Sequence, residues 1–340
     1  MRKRLIVLML TGMLTLPAVL TGCGGTDREA QESYRQLGIL KLKENDYDAA
    51  VESFQKALDE SKGKIGDIEL DICYYKALAQ YKGGDYKDAV ETYDSLLTYD
   101  DENADAYFLR GCVYLADGQG KKCVSDYNQA VELAPDNYKL YIEIYENLSA
   151  FDYEDKGKEY LKLALEQKAS KGEEYCGQGY IYLLLEDYEN ADKMLSKALE
   201  KGYDKAMMYQ AQLLKAQGDS QKAQEVYEEY ISKYPEDIDA LNEIGVLEMN
   251  AGDYENALEA FEKAAALDTD GENQTLRLNR IYAYEYSGDF QKAYTLMKEY
   301  LKDHPKDKEA QREFEFLKTR ITDQSQQKSD NQGEASSDQS

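Results

Sequence analysis

The chain has 340 residues, 67 acidic and 41 basic, giving a formal charge of -26. That balance excludes a nucleic-acid surface, which needs clustered cations, and electrostatic attraction to an anionic bilayer. A single histidine, His304, leaves little room for histidine-based catalysis or metal binding. Its place before Pro305 in a predicted loop makes it an ordinary surface residue. Four prolines, no tryptophan and many Ala, Leu, Glu and Lys suit an all-helical protein.

Arg2, Lys3 and Arg4 precede an apolar run from Leu5 to Leu20. Gly12 and Pro17 interrupt the run, which is short for a spanning helix. Leu20, Thr21, Gly22 and Cys23 follow, an apolar residue and two small ones before a cysteine. This box resembles the lipobox of bacterial lipoproteins. The resemblance implies that residues 1–22 are a cleaved signal peptide and that Cys23 carries a diacylglyceryl group. Each buried methylene is worth about 0.8 kcal/mol, so two acyl chains hold where one holds marginally. The mature chain would then sit on the extracytoplasmic face of the cell membrane. Residues 23–30 read as the lipidated cysteine and a flexible tether.

Beyond the tether one spelling returns, a GDY-type bend followed by a small residue. The small residues Ala50, Ala89, Cys123, Gly157, Ala191, Ala223, Ala257 and Ala293 fall at steps of 39, 34, 34, 34, 32, 34 and 36. A period near 34 marks stacked helical hairpins. The repeat starting at Ala104 places Tyr107, Gly111, Tyr114, Tyr127, Ala130 and Pro135 at positions 4, 8, 11, 24, 27 and 32. The repeat from Ile238 has Leu241, Gly245, Tyr254, Ala257, Phe261 and Ala264; that from Gln31 has Tyr34, Gly38, Tyr47, Ala50, Phe54 and Ala57. The fourth, from Tyr138, departs at Tyr145 and Gly157. Together these residues resemble the tetratricopeptide repeat. The implied fold is all-α, a right-handed solenoid of about eight helical hairpins. The repeats lie near 31–64, 70–103, 104–137, 138–171, 172–203, 204–237, 238–271 and 274–307.

Gly84, Gly252 and Gly288 suit left-handed helix ends. Asp46, Asp85, Asp187, Asp253 and Asp289 suit N-caps of the second helices. After the array, Ala310, Phe314, Leu317 and Ile321 form one stripe, predicting a capping helix over 306–322. Residues 323–340 are mostly Gln, Ser and Asp and read as a disordered tail.

In the resembled family, first-helix positions 2, 5, 9 and 12 line a concave, ligand-binding surface. Carried onto this chain, that implies a partner-binding groove of Tyr74, Tyr81, Phe108, Leu115, Ile142, Tyr180, Leu183, Met208, Met249 and Tyr282. Leu78, Cys112, Glu146, Cys176, Val246 and Leu278 stand beside them. The alternative is that a tightly wound solenoid buries these side chains against one another. Position 2 carries Glu32, Asp71, Asp105, Glu173 and Asp239, a wall that would repel a terminal carboxylate.

The expected partner is therefore a polypeptide with apolar or aromatic side chains and basic flanks, held by a membrane-anchored scaffold. A glycan or small-molecule receptor is the alternative, with tyrosines stacking on sugar rings. No cofactor is expected. Calcium-loop spacing fails in ALDTDGEN, where Arg277 would occupy the twelfth, glutamate position. No phosphate loop, nucleophile elbow or HExxH occurs, so catalysis is not expected. Cys112 and Cys123 share a hairpin and are the best candidates to pair, but Cys123 reads more simply as a small packing residue.

Overall fold

A computed structural model describes residues 26–321 except 270, 272 and 306. The anticipated signal peptide, Cys23 and the tail over 323–340 lie outside the described residues. Seventeen helices and no strand occur among those described. In order they are α1 (Thr26–Lys43), α2 (Tyr47–Glu60), α3 (Asp67–Gly83), α4 (Tyr86–Tyr99), α5 (Ala104–Ala116) and α6 (Gly120–Leu133). There follow α7 (Tyr138–Ala150), α8 (Glu154–Leu165), α9 (Gly172–Leu184), α10 (Tyr188–Glu200) and α11 (Ala206–Ala216). The series ends with α12 (Ser220–Lys233), α13 (Ile238–Ala251), α14 (Tyr254–Leu267), α15 (Gln274–Tyr286), α16 (Phe290–Asp303) and α17 (308–321).

The helices form two compact units, divided between Asp219 and Ser220. The first holds five hairpins, α1–α2 to α9–α10, and then α11; the second holds α12, the hairpins α13–α14 and α15–α16, and α17. Seven of the eight expected hairpins thus close within a unit. The helices of the sixth repeat, α11 and α12, belong to different units.

Small residues let the two helices of a hairpin approach. A Cβ on Gly38 would lie 2.5 Å from the Phe54 ring, and one on Gly111 or Gly245 equally close to Tyr127 or Phe261. Position 8 is therefore the seat of the ring at position 24. The fourth hairpin exchanges sizes instead. Tyr145 occupies position 8, and Gly157 faces it from α8, where an added Cβ would lie 2.9 Å from Tyr145 Cδ2 and 3.0 Å from its Cα.

Successive hairpins are joined by two positions that the repeat pattern did not flag. In α3, α11 and α15, positions 3 and 10 enter the core of the hairpin before. Ile72 and Ala79 join Ala50, Phe54 and Ala57; Ala206 and Leu213 join Ala191, Leu195 and Ala198. Leu276 and Ala283 join Leu241, Phe261 and Ala264. In α17, Ala310 and Leu317 serve hairpin α15–α16 in the same way, and Phe314 stacks on Tyr294 at 4.8 Å. Burying one large aliphatic side chain contributes roughly 1.5–3 kcal/mol, so these few residues hold the layers together.

Caps divide by their neighbours. Asp187, Asp253 and Asp289 accept the backbone N–H groups of Asn190, Asn256 and Lys292. Asp46 and Asp85, expected to do likewise, make no side-chain cap bond. The third helical residue explains the difference. Asn190 and Asn256 also donate Nδ2 to the capping carboxylate, at 2.8 and 2.9 Å. Ala49 offers no such donor after Asp46, and Asp88 repels Asp85. Caps of the first helices, Asn103, Asn137, Asp237 and Asn273, came unannounced. The left-handed glycines are as expected, with Gly84 and Gly252 closing α3 and α13 at φ near 89° and 85°.

Two further expectations change. The tether shortens, because α1 begins at Thr26. His304 is only 6 % exposed, not a surface residue; it caps α16 and its ring lies 4.4 Å from that of Tyr300.

Candidate functional site

Within each unit, first helices approach one another: α1 meets α3, α5 meets α7, α7 meets α9 and α9 meets α11, while α13 meets α15. Positions 2, 5, 9 and 12 of these first helices are the ones the resemblance assigned to a binding surface.

On these helices the expected groove residues part into two sets. Tyr74, Tyr81, Ile142, Tyr180 and Leu183 are half-buried in the first unit, as are Met249 and Tyr282 in the second. Phe108, Leu115 and Met208 are closed off, at 5 %, 5 % and 7 % exposure. The Phe108 ring packs on Tyr127 with centroids 5.7 Å apart. At position 5, Phe108, Cys176 and Met208 are buried, whereas Tyr74 and Ile142 are half-buried. Self-burial thus holds for the closed-off side chains. Cys112 is also buried, with its sulfur 3.5 Å from the Tyr127 hydroxyl.

The tyrosines differ in what remains of them. Tyr74 donates to Asn103 Oδ1 at 2.8 Å, and Asn103 caps α5 through the same oxygen. Burial raises the Tyr74 hydroxyl above its usual range, with the Asp105 carboxylate adding to the effect. Tyr81 is pushed up to about 12 by burial, with Cys112 and Tyr86 adding smaller effects. Tyr180 stacks on Tyr209 at 4.3 Å, which occupies one of its faces.

Charge sharpens the site. Glu32 and Asp71 are neutralised by Arg35, at 3.2 and 2.6 Å. Asp105 on α5 and Glu146 on α7 are not: neither has a hydrogen bond or ion pair to any described residue. Both are half-buried, and burial raises both carboxyls above the ordinary range. Lys139 is the cation acting on each, and its ion pair is with Glu143 at 3.3 Å. The Oγ of Ser149, at position 12 of α7, is buried without a hydrogen-bond partner among the described residues. In the second unit Tyr282 is raised to about 12 by burial and by Glu313, Glu309, Asp307 and Glu285. Negative charge acting on a half-buried tyrosine thus recurs in both units.

Cys73, Cys112, Cys123 and Cys176 are free thiols. Burial pushes Cys112 and Cys176 up to about 12 and Cys123 to about 11, far from a reactive thiolate. No group of three or more His, Cys, Asp or Glu residues placed to hold a metal occurs among the described residues. None of the described helices is long and apolar enough to cross a membrane.

Profiles described as "Tetratricopeptide repeat" match residues 29–63, 104–137, 175–200, 208–272 and 248–312, and one described as "TPR repeat" matches 77–118. The chain is 29% identical over 119 residues to "DnaJ homolog subfamily C member 3" of Gallus gallus, an alignment covering 32% of this chain and 24% of that protein. It thus spans about a quarter of that relative's length. Among solved structures, a tetratricopeptide repeat protein from Parabacteroides merdae is 14% identical, with TM-score 0.45, 75% of this chain covered and 99% of that one. YrrB, described as "a TPR protein with an unusual peptide-binding site", is 18% identical, with TM-score 0.30 and coverage of 55% and 96%. The profile matches together span more than half of the chain, and with the hairpin packing above they make it a tetratricopeptide-repeat protein.

Proposed function

We propose that this protein is a lipid-anchored scaffold on the extracytoplasmic face of the cell membrane. Its first-helix lining holds a polypeptide partner bearing cationic and aromatic or apolar side chains. The repeat is generally a non-catalytic, protein-binding scaffold, and that supports a binding role. The anchor rests on the sequence up to Cys23. One observation carries the partner's chemistry: Asp105 and Glu146 are half-buried carboxylates with no ion pair to a described residue, and Asp105 acts on the half-buried Tyr74. Holding such groups charged is costly until a cation arrives. A lysine or arginine on the partner supplies one, while its apolar neighbours cover the Tyr74 ring. The charge of -26 draws such a partner in from a distance. Sugar stacking has less support, since Tyr180 and Tyr209 turn one face each toward the other. Envelope or surface-complex assembly is the setting this reading implies.

The test is photocrosslinking in the native cell from a photoreactive residue at Tyr81, followed by binding of the captured segment as a synthetic peptide. Asp105→Lys and Glu146→Lys should each weaken that peptide at least about tenfold while helicity is retained. Unchanged affinity in both variants would sink the proposal.

A further inference from the structure

The first helix of the array lacks the neighbour that every later hairpin has. Positions 3 and 10 are buried in core clusters in α3, α11, α15 and α17. In α1 the same positions are Ser33 and Leu40, with no preceding hairpin among the described residues. Leu40 is 50 % exposed, and Leu37, one turn earlier on the same face, is 41 % exposed. The stretch LGILKLK over 37–43 contains Lys41 and Lys43 and no carboxylate, in a chain of charge -26. Lys41 is bonded to Glu44 at 2.6 Å, so the acid that follows is partly neutralised at this end.

Where α1 begins decides what covers this face. Cys23 is three residues before Thr26, and three residues reach at most about 11 Å. A lipid on Cys23 therefore holds α1 at the bilayer surface, nearer to it than any other helix is tied by the chain. We propose that the end face of α1 is a membrane-docking surface, with Leu37 and Leu40 entering the lipid interface. This rests on the lipid-anchor reading above. Two leucines alone bind a bilayer weakly, but a neighbouring anchor makes their contact intramolecular and hence effective at low intrinsic affinity. The array is then oriented by its first hairpin as well as tethered by its lipid.

The experiment uses the full-length, lipidated protein reconstituted in phosphatidylcholine vesicles. An environment-sensitive label is placed at Leu40→Cys, or at Tyr286→Cys as an exposed reference, in a Cys73→Ser background; Cys112, Cys123 and Cys176 are buried. The expected result is loss of quenching by an aqueous quencher at position 40 only, with a blue-shifted emission. Equal quenching at both positions, in protein that floats with the vesicles, overturns this inference and leaves the anchor standing. Protein that does not float overturns the anchor and this inference with it. Protection of position 40 in a Cys23→Ser form without vesicles, accompanied by a dimer in sedimentation, assigns the face to a second copy and overturns the membrane.

Discussion

Side-chain size at two facing positions decides whether a hairpin closes. Gly157 and Tyr145 exchange the usual order of small and large, and the backbone of α7 stands where a Cβ on residue 157 would go. Backbone cannot swing aside as a ring can. Gly157→Ala should therefore lower stability by about 1–3 kcal/mol, read as a fall in the denaturant midpoint. The buried Tyr127 hydroxyl is another point of failure. It donates to Asn147 Oδ1, and Asn147 is buried. Tyr127→Phe should cost about 1–3 kcal/mol by leaving that amide unpaired, measurable in the same titration. Glycine at position 8 and a ring at position 24 could be read directly from the chain. The exchange in the fourth hairpin could not, because each residue looked like a defect until its partner was known. The capping aspartates were half legible for a similar reason: the residue three places on decides whether the carboxylate is held.

For single helices, the start of α9 offers a pH test. Glu174 accepts the backbone N–H groups of Ser170 and Lys171, at 2.8 and 3.1 Å, and the ammonium of Lys171 at 3.1 Å. The two amides lead in lowering its pKa, with the ammonium adding to them, to about 2. A depressed carboxyl stabilises the folded form above its unfolded pKa, and that contribution is lost as pH falls through the folded value. The Glu174 carboxyl resonance should accordingly titrate near pH 2, and Glu174→Gln should remove the acid-range slope it contributes to stability. A midpoint near the ordinary glutamate value would show the cap is not formed. Some helix ends were legible, such as those at Gly84 and Gly252, but the bends at Asn45, Asp152 and Glu186 carry neither glycine nor proline. The layer-joining positions were not legible. Ile72, Ala79, Ala206, Leu213, Leu276 and Ala283 share no single residue type, only burial, so no spelling repeats.

At the scale of the whole molecule, negative charge is the dominant property. Asp105 and Glu146 add to it where water is partly excluded. Their raised pKa values mean that the folded form gains stability as pH falls through them and lacks it at neutral pH. Asp105→Asn together with Glu146→Gln should therefore raise the thermal midpoint at neutral pH while weakening partner capture at least about tenfold. A lowered midpoint with unchanged capture would assign these acids to the scaffold. The depth of the expected groove positions was not legible: Phe108 and Met208, expected on an open wall, are buried.

The joining of layers has a direction. Several hairpins are completed by two residues of the helix that follows, and Ala310 and Leu317 complete the last. Chain loss from either end uncovers apolar surface: removing the rear strips Ala310 and Leu317 from the last hairpin, and removing the front bares Ile72 and Ala79. On the ribosome the same polarity means that a newly made hairpin waits, incompletely sealed, for about one more helix to emerge.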